Sequence, residues 1–157
     1  MAEKRYWLMK SEPDEFGIDD LASRENQTTY WEGVRNYQAR NFMRDEMKVG
    51  DKVFFYHSNA KPLAIVGIME VASEPYPDPS QFDPNSKYFD EKATEEKPRW
   101  FLVDVKLVEK FEKPVLRDDI KKEETLSDMM LIAKGSRLSI QPVTEYQWEK
   151  VLKMAGK

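Results

Sequence analysis

The segment with the densest set of chemically useful side chains is residues 31–41, with the sequence WEGVRNYQARN. It combines an indole, a phenol, two guanidinium groups and several carboxamides. Aromatic faces stack on planar rings, and Arg and Asn side chains form hydrogen bonds in fixed directions. These groups suit a pocket for a flat, polar ligand, such as an unstacked nucleic acid base. The same residues also fit a second interpretation, in which Trp31 and Tyr37 are core aromatics and Arg35 and Arg40 cover a solvated helix face.

Composition limits the kind of partner. The chain has 157 residues, which suits one domain, and 40% of them are hydrophobic. The formal net charge of −4 argues against tight, non-specific binding to phosphate backbones, which needs a basic surface. Any recognition of nucleic acid is therefore expected to be local and to rely on a pocket. The absence of Cys excludes disulfides, thiolate metal sites and a Cys nucleophile.

Other classes of protein find no support in the sequence. The N-terminus lacks an apolar signal core, and no apolar run approaches the ~20 residues of a membrane span. We therefore expect a cytoplasmic protein that does not contact membranes. The acidic residues between 78 and 91 match no metal-binding spacing, and residues 134–136 lack a preceding glycine-rich loop. No cofactor or metal is expected. The sequence does not encode an oligomeric state, and a monomer is favoured.

Buried strands are predicted from short runs of β-forming residues. Residues 6–9 form such a run, and Pro13 keeps the preceding residue out of the helical region, so that residues 10–12 are expected at a strand end. Residues 52–57 and 63–71 predict a hairpin, with Gly67 at a bulge or close approach. Residues 100–108 predict the longest strand, ended by residues 111–115, and residues 138–143 predict the last strand.

Helices are predicted between these strands. An apolar stripe at Ala39, Phe42, Met43 and Met47 predicts a helix over residues 34–47. Further short helices are predicted near residues 17–21, 116–120 and 126–130, and residues 23–29 are predicted to form a loop. A capping-box pattern from Thr144 predicts a closing helix over residues 146–154. Residues 74–98 hold five Pro among several aromatic residues and predict an ordered excursion. About five or six strands with short helices predict a compact α+β domain with a curled sheet or open barrel.

Several of these segments resemble the signature blocks of the EVE domain family. They are residues 6–13 (YWLMKSEP), 31–41 (WEGVRNYQARN) and 55–58 (FYHS), together with residues 76–79 (YPDP) and 137–143 (RLSIQPV). The blocks occur in order and cover the chain from about residue 5 to residue 153. The resemblance implies a PUA-like fold, a small mixed β-barrel decorated by short helices, with residues 1–157 as a single domain. It also implies that the partner is nucleic acid carrying a modified base.

The resemblance also suggests site residues. In the related YTH domains, which bind a methylated base of RNA in an aromatic cage, a Lys-Ser pair and a following Trp line the cage. By this resemblance, Lys10, Ser11 and Trp31 line the pocket of this chain. The remaining candidate nucleic-acid-binding residues are members of the signature blocks: Glu12, Pro13, Arg35, Asn36, Tyr37, Arg40, Tyr56, His57, Ser58, Ser139 and Gln141.

Stacking is expected to supply much of the affinity of such a pocket. Trp31 would form the platform, with Tyr37 or Tyr56 as a second wall, and stacking contributes on the order of 1–3 kcal/mol per base. A methyl group on the base adds about 0.8 kcal/mol if it is fully buried. Selectivity for the modification is therefore expected to be modest, unless the unmodified base leaves a void or traps a water molecule.

Polar groups would orient the base. Ser11 and Asn36 are candidates for reading its Watson–Crick edge, and the carboxylate of Glu12 suits an exocyclic amino group such as cytosine N4. A flanking phosphate could be held by a cation, bidentately in the case of Arg. The candidates for this contact are Arg35, Arg40 and Lys10.

Three functions remain open at this stage. The first is a non-enzymatic reader of methylated or hydroxymethylated cytosine, or of methylated adenine, in DNA or RNA. The second is a hydrolase of acylated or otherwise modified nucleosides, like some ASCH domains, with Lys10 and Glu12 joined by Thr28 or Thr29. The third is a protein-interaction module that uses residues 75–98. The single His is predicted to be a hydrogen-bonded structural residue rather than a general base.

Overall fold

The strands form one large mixed sheet and one small ribbon in the computed structural model, which describes residues 5–135 and 138–157. The order in the large sheet is β2-β7-β4-β3-β1-β8, and β5 pairs with β6. The strands are β1 Tyr6–Ser11, β2 Thr28–Tyr30, β3 Lys52–His57, β4 Ala64–Val71, β5 Tyr76–Pro77, β6 Phe101–Leu102, β7 Asp104–Leu116 and β8 Ile140–Val143. Ser136 and Arg137, which belong to predicted motifs, lie outside the described residues.

The helices are short. They are α1 Pro13–Phe16, α2 Ile18–Ser23, α3 Tyr37–Asn41, α4 Arg117–Lys122 and α5 Glu145–Met154. Single 3₁₀ turns cover Glu25–Gln27, Pro79–Phe82, Glu124–Leu126 and Met130–Ile132, and a π-helical turn covers Phe42–Glu46. The predicted capping box is confirmed: Thr144 Oγ1 accepts from the Gln147 N–H, and Gln147 Oε1 accepts from the Thr144 N–H. Within residues 5–135 and 138–157, none of the helices is both long and apolar enough to cross a membrane.

Strand β1 organises the sheet. It pairs in parallel with β3, from Tyr6 opposite Lys52 to Ser11 opposite His57, and antiparallel with β8. Successive residues of a strand point to opposite faces. On one face Trp7 and Met9 therefore enter a core that contains Phe55, whereas the other face carries Leu8 in a second core. Both cores are closed by the short helices, which confirms the predicted α+β class.

The predicted hairpin is also confirmed. β3 and β4 pair antiparallel, and the register of both β4 ladders shifts near Gly67. A Cβ at Gly67 would collide with the carbonyl oxygen of Glu109 and with the side chain of Ile18. This position is therefore a close approach of β4 to β7 and α2, as its glycine predicted.

The helix predicted at residues 126–130 is wrong, since 3₁₀ turns cover Glu124–Leu126 and Met130–Ile132 and residues 127–129 are not helical. Three predicted boundaries are also wrong. Within the predicted loop at residues 23–29, Thr28 begins strand β2, which pairs with β7 at the sheet edge. Strand β7 does not end at residues 111–115 but runs through them. Its ladder to β4 is irregular between Lys110 and Val115, so that Pro114 interrupts no regular pairing there. The helix predicted from residue 34 starts only at Tyr37, since Asn36 is its N-cap with Oδ1 accepting from the Ala39 N–H at 2.9 Å.

The excursion at residues 74–98 is ordered by buried polar contacts. Gln81 is fully buried, and its Nε2 donates to the carbonyl oxygens of Asp78 and Trp100 at 2.8 and 2.7 Å. Its Oε1 accepts from the N–H groups of Arg99 and Trp100, at 2.9 Å each. One side chain therefore joins the start of the excursion to its end, which confirms the predicted order of this segment.

Candidate nucleic-acid interface

A cleft of about 720 Å³ opens where the C-terminal end of β1, strand β2 and the segment after β2 meet. Its volume falls within the roughly 300–1,000 Å³ that ligand pockets occupy. The predicted residues that line it are Lys10, Ser11, Glu12, Trp31, Arg35 and Ser139. The cleft therefore brings together residues that lie more than one hundred positions apart in the chain.

Trp31 forms a rigid wall of the cleft. Only 7% of the residue is exposed, and its N–H donates to the carbonyl oxygen of Val103 at 3.0 Å. The indole meets the ring of Phe55 edge to face at 5.5 Å and that of Phe16 at 6.3 Å. These contacts fix the ring before any ligand arrives, as a stacking or apolar contact surface requires.

The end of β1 supplies polar groups. Ser11 Oγ donates to the carbonyl oxygen of Phe16 at 2.6 Å, and its oxygen keeps acceptor capacity. Glu12 has an extended backbone at the N-cap of α1, and among the described residues its carboxylate accepts only a long hydrogen bond, 3.3 Å, from Asn59 Nδ2. Ser139 is fixed from the other side, because its carbonyl oxygen accepts from the Lys10 N–H at 2.9 Å. Main chain and side chains of two neighbouring strands thus meet in the cleft.

The side chain of Lys10 leads away from this group. Its Nζ lies 5.9 Å from the ring centroid of Tyr56, which belongs to the second core on the opposite face of the sheet. Burial, and then the neighbouring charge of Arg117, lower the pKa of Lys10. Lys10 lines the cleft as a residue, but its ammonium group lies over Tyr56, on the side of the second core.

Arg35 is a structural clamp on the cleft. Its Nε and Nη2 donate to the carbonyl oxygen of Tyr88 at 3.2 and 2.7 Å, and Nη2 also donates to Ser80 Oγ. Its Nη1 donates to the Val34 carbonyl oxygen and to Asp78, a carboxylate that is 1% exposed. A guanidinium has five N–H donors, and these five contacts occupy all of them. The side chain thus ties the excursion to the cleft and has no donor left for a phosphate.

Glu32 adds a carboxyl group that the sequence analysis did not single out. It lines the cleft beside Trp31, and Glu12, Glu15 and Glu25 line the same cleft. Burial and the neighbouring Asp78 raise the pKa of Glu32, against the opposing charges of Arg35 and Lys87. The charged form of Glu32 is therefore less favourable there than in water.

The predicted residues around α3 lie together but outside the cleft. Asn36 caps the helix with its side chain. Tyr37 stacks on Trp100 with ring centroids 4.8 Å apart, and its hydroxyl accepts from Arg99 Nη2 at 2.6 Å. Arg40 Nη1 donates to the Arg99 carbonyl oxygen at 2.9 Å. Neither Asn36 nor Tyr37 reaches the position that a base beside Trp31 would occupy, so their predicted roles as edge reader and second wall gain no support.

The predicted residues at the end of β3 support the cleft from behind. His57 Nε2 accepts from the Ile18 N–H at 3.1 Å, as a structural histidine would, and burial lowers the pKa of His57. The Ser58 N–H donates to the Ser11 carbonyl oxygen at 3.0 Å. Tyr56 is 3% exposed on the other face of the sheet. These residues, with Pro13 in the first turn of α1, position β1 and α1 rather than line the cleft.

Gln141 is likewise buried rather than part of the cleft wall. It is 1% exposed, and its Nε2 donates to the carbonyl oxygen of Leu138 at 3.0 Å. This bond holds the residues just before β8, including Ser139, in place. Gln141 therefore acts on the site through the backbone.

The remaining lining residues come from α1, from the segment between α2 and the residues after β2, and from the excursion. They are Glu15, Phe16, Arg24, Glu25, Thr28, Thr29, Tyr30, Glu32, Gly33, Val34, Lys87 and Tyr88, of which Thr28 and Thr29 were named only for the hydrolase alternative. Strand β2 carries no alternating apolar pattern that would have revealed it. Tyr88 is brought to the cleft by long-range contacts with Gly33 and Arg35. Glu32 and Gly33 could have been predicted as lining residues, because they lie inside the aromatic and polar segment of residues 31–41.

Comparison with known proteins identifies the family. Residues 5–154 match the EVE domain. The chain is 43% identical to chicken thymocyte nuclear protein 1, over 95% of this chain and 68% of that protein. It is 40% identical to the human protein of the same name, over 97% of this chain and 74% of that protein.

Solved structures agree with this assignment. A protein from Pseudomonas putida is similar with a TM-score of 0.91 and 47% identity, covering 96% of this chain and 99% of that one. Human THYN1 protein in complex with 5-methylcytosine-containing DNA is similar with a TM-score of 0.92 and 40% identity, covering 98% and 99%. An ASCH protein from Zymomonas mobilis, with a TM-score of 0.55 and 7% identity, shares the fold alone. The predicted PUA-like fold is confirmed, and the chain belongs to the EVE domain family.

Proposed function

We propose that this protein binds DNA containing 5-methylcytosine, and that the modified base enters the cleft beside Trp31. The observation that carries the proposal is the pairing, in one cleft, of a rigid indole wall with the little-engaged carboxylate of Glu12. The similar human THYN1 protein, in complex with 5-methylcytosine-containing DNA, supports the choice of ligand. No step of this binding requires catalysis, and we propose a non-enzymatic reader.

The cleft matches the edge of cytosine. Cytosine presents the N4 amino group as a donor, and a Glu carboxylate accepts from it. Glu12 lies at the end of β1 in a position to do so. Glu32 lines the same cleft, and we assign it a second polar contact to this edge.

The methyl group needs an apolar contact. Phe16, Trp31 and Val34 line the same cleft, so it offers carbon surface next to its polar groups. Full burial of one methyl group contributes about 0.8 kcal/mol, which corresponds to about fourfold selectivity. A base inside a duplex cannot reach such a cleft, so that binding requires the base to be extruded from the stack. We expect methylation to improve affinity by a small but measurable factor.

The test is a titration followed by fluorescence anisotropy. Two duplexes of identical sequence, one with a single 5-methylcytosine and one with cytosine, are titrated with the wild type, Glu12→Ala and Trp31→Phe. The matched control is Glu112→Ala, which removes an exposed carboxylate of β7 that does not line the cleft. We expect a preference of up to about fourfold for the methylated duplex, lost in both cleft variants and kept in the control.

Two outcomes would contradict the proposal. Equal affinity of the wild type for both duplexes would exclude methylation reading. A preference that survives in Glu12→Ala and Trp31→Phe would place the reading elsewhere. Because Trp31 also packs in the core, unfolding curves of each variant must show a folded protein at the assay temperature. An RNA strand carrying the same base serves as a third ligand and distinguishes DNA from RNA binding.

The hydrolase alternative has weaker support. Glu12, Thr28 and Thr29 line one cleft, as that alternative requires. However, the ammonium group of Lys10, its expected partner, lies over Tyr56 on the other face of the sheet. Release of the acyl group from an acylated cytidine would revive this alternative.

A further inference from the structure

We infer that Arg40, Arg44 and Arg99 form a phosphate-binding strip beside the cleft, which holds the DNA strand that flanks the recognised base. The ligand class is the phosphodiester backbone. The inference rests on the proposed function, since it assigns a path to the strand whose base enters the cleft. It concerns a different surface, around the exposed ring of Tyr37, and can fail independently.

Tyr37 is the centre of the strip. The residue is 47% exposed although its ring stacks on Trp100. The guanidinium carbon of Arg40 lies 4.7 Å from the ring centroid, and that of Arg99 lies 5.9 Å away. The two arginines are also joined, because Arg40 Nη1 donates to the Arg99 carbonyl oxygen and Arg99 Nη2 donates to the Tyr37 hydroxyl. Two cations are thus held in fixed positions around one exposed ring.

Arg44 extends this group by one helical turn. Asn41 Oδ1 accepts from Arg40 Nη2 at 2.7 Å and from Arg44 Nη2 at 3.3 Å, so that one amide oxygen holds both side chains. Arg44 also lies over the ring of Phe101, 5.7 Å from its centroid. Burial and the nearby charge of Arg44 lower the pKa of Arg40. The crowding of like charges indicates a site that an anion would stabilise.

The carboxylates in this region neutralise the strip only in part. Asp45 accepts two hydrogen bonds from Arg44, from Nε at 2.8 Å and from Nη2 at 3.0 Å, and so neutralises this arginine most fully. Asp90 approaches Arg99 only to 3.5 Å and accepts a shorter bond, 2.8 Å, from Trp100 Nε1. Arg40 has no carboxylate within ion-pair distance among the residues that the structure describes. On a chain with a net charge of −4, this is a local excess of positive charge.

The strip is continuous with the cleft. A second depression, of about 530 Å³, shares Arg35, Lys87 and Tyr88 with the cleft and reaches Arg99 on its other side. Its lining holds four basic side chains and two acidic ones. A strand that leaves the cleft over Tyr88 therefore meets Lys87 first, and then the strip. Guanidinium groups bind phosphate bidentately, and such contacts position a strand without reading its sequence.

The experiment compares the salt dependence of DNA binding. The double variant Arg40→Gln/Arg99→Gln is titrated with methylated and unmethylated duplexes at several salt concentrations. The control, Lys113→Gln/Lys121→Gln, removes the same net charge at two exposed residues outside the strip. We expect the strip variant to lose about tenfold affinity for both duplexes and to flatten the plot of log K against log salt by about two units. The change in salt slope of the control, relative to the wild type, should be less than half of the change seen in the strip variant.

A conservative variant and a modified DNA sharpen the result. Arg40→Lys/Arg99→Lys keeps the charge, and we expect it to keep the salt slope while recovering part of the affinity. Replacing single phosphates near the modified base with neutral methylphosphonates should weaken binding to the wild type at one or two positions. The same replacements should leave binding to the double Gln variant unchanged, because the contact is already absent.

Each outcome separates the two proposals. If the folded Arg40→Gln/Arg99→Gln variant keeps the affinity and the salt slope of the wild type, the strip does not bind phosphate. This holds whatever the methylation preference. A loss of methylation preference with an unchanged slope would also overturn it, because the arginines would then act on the base. Equal binding of both duplexes by the wild type contradicts the cleft proposal, while the change in slope still reports on the strip.

Discussion

The ring of Tyr88 lies directly against the Cα of Gly33, where a Cβ would approach Tyr88 Cζ to 2.5 Å. Gly33 has a φ of +85°, and its N–H donates to Asp78 Oδ2 at 2.8 Å. The close approach joins the segment after β2 to the excursion on the wall of the cleft. Only glycine combines this backbone angle with this contact.

Replacing Gly33 with Ala is expected to damage both stability and binding. The left-handed backbone angle disfavours Ala by about 1–2 kcal/mol, and displacement of the Tyr88 ring adds to this. Gly50→Ala is the matched control, since Gly50 has a φ of +94° and nothing within 4 Å of an added Cβ. Urea unfolding should show a larger loss for Gly33→Ala, and DNA titration should show a loss of affinity for that variant alone. Equal losses of unfolding free energy in Gly33→Ala and Gly50→Ala would mean that displacing the Tyr88 ring costs no stability.

Arg35→Lys should destabilise the fold despite conserving the charge. Lys cannot replace the five hydrogen bonds of Arg35, so that the Tyr88 carbonyl oxygen loses two donated bonds and Asp78 loses one. We expect the free energy of unfolding to fall by about 2–3 kcal/mol. Arg5→Lys is the control, because Arg5 pairs with Glu46 in an exposed ion pair that contributes less than about 1 kcal/mol. Similar unfolding midpoints for both variants would contradict the clamp.

Stability should decrease with acid through His57. Its Nε2 accepts from the Ile18 N–H, which only a neutral imidazole can do, and burial lowers its pKa from the ordinary 6.5. The unfolded chain therefore takes up the proton first as the pH falls. The stabilisation is present above about pH 6.5 and is lost as the pH falls through the folded-state pKa, by at most about 1.4 kcal/mol per pH unit.

The measurement for His57 is a series of urea unfolding curves between pH 5 and 7.5. His57→Gln is the comparison, because its amide oxygen can accept the same bond without titrating. We expect the wild type to lose stability towards pH 5 and the variant to be nearly flat. Parallel curves for the two proteins would show that other groups dominate this pH range.

Lys10→Gln distinguishes reader from hydrolase. The ammonium group of Lys10 lies over Tyr56 and near Arg117, behind the cleft. The substitution should therefore change the affinity for methylated DNA by less than about twofold, beyond the general effect of one lost charge. Ser11→Ala, at the neighbouring residue inside the cleft, is the positive control. A Lys10→Gln variant that loses binding as Trp31→Phe does would bring the ammonium group back into the site.

Much of the fold was predictable because its signals are local. The apolar run of β1, the hairpin of β3 and β4, and the capping box at Thr144 depend on neighbouring residues, and all three are confirmed. Strand β2 was missed because its Thr residues pair at a sheet edge, where no apolar alternation is needed. Pro114 suggested a strand end, but it lies where the ladder is already irregular.

The site was predictable only where its residues belong to short local motifs. Ser11 ends β1, and Glu12 and Trp31 directly follow β1 and β2. The structure places all three in the cleft. Tyr88 belongs to the site because its ring packs against Gly33 and its carbonyl oxygen accepts from Arg35, two contacts that reach across the fold. No local pattern records such a contact. The cytoplasmic location and the monomeric state stay predictions from the sequence.

The bond from the Lys10 N–H to the Ser139 carbonyl oxygen has a consequence for biosynthesis. One wall of the cleft comes from the beginning of the chain, whereas another comes from the residues just before β8. During translation β1 can pair with β3 early, but its other edge has no β8 partner until residues 140–143 have been made. Nascent or prematurely terminated chains therefore carry Trp31 without a completed site. The cleft as described is therefore complete only in a chain that includes residue 139.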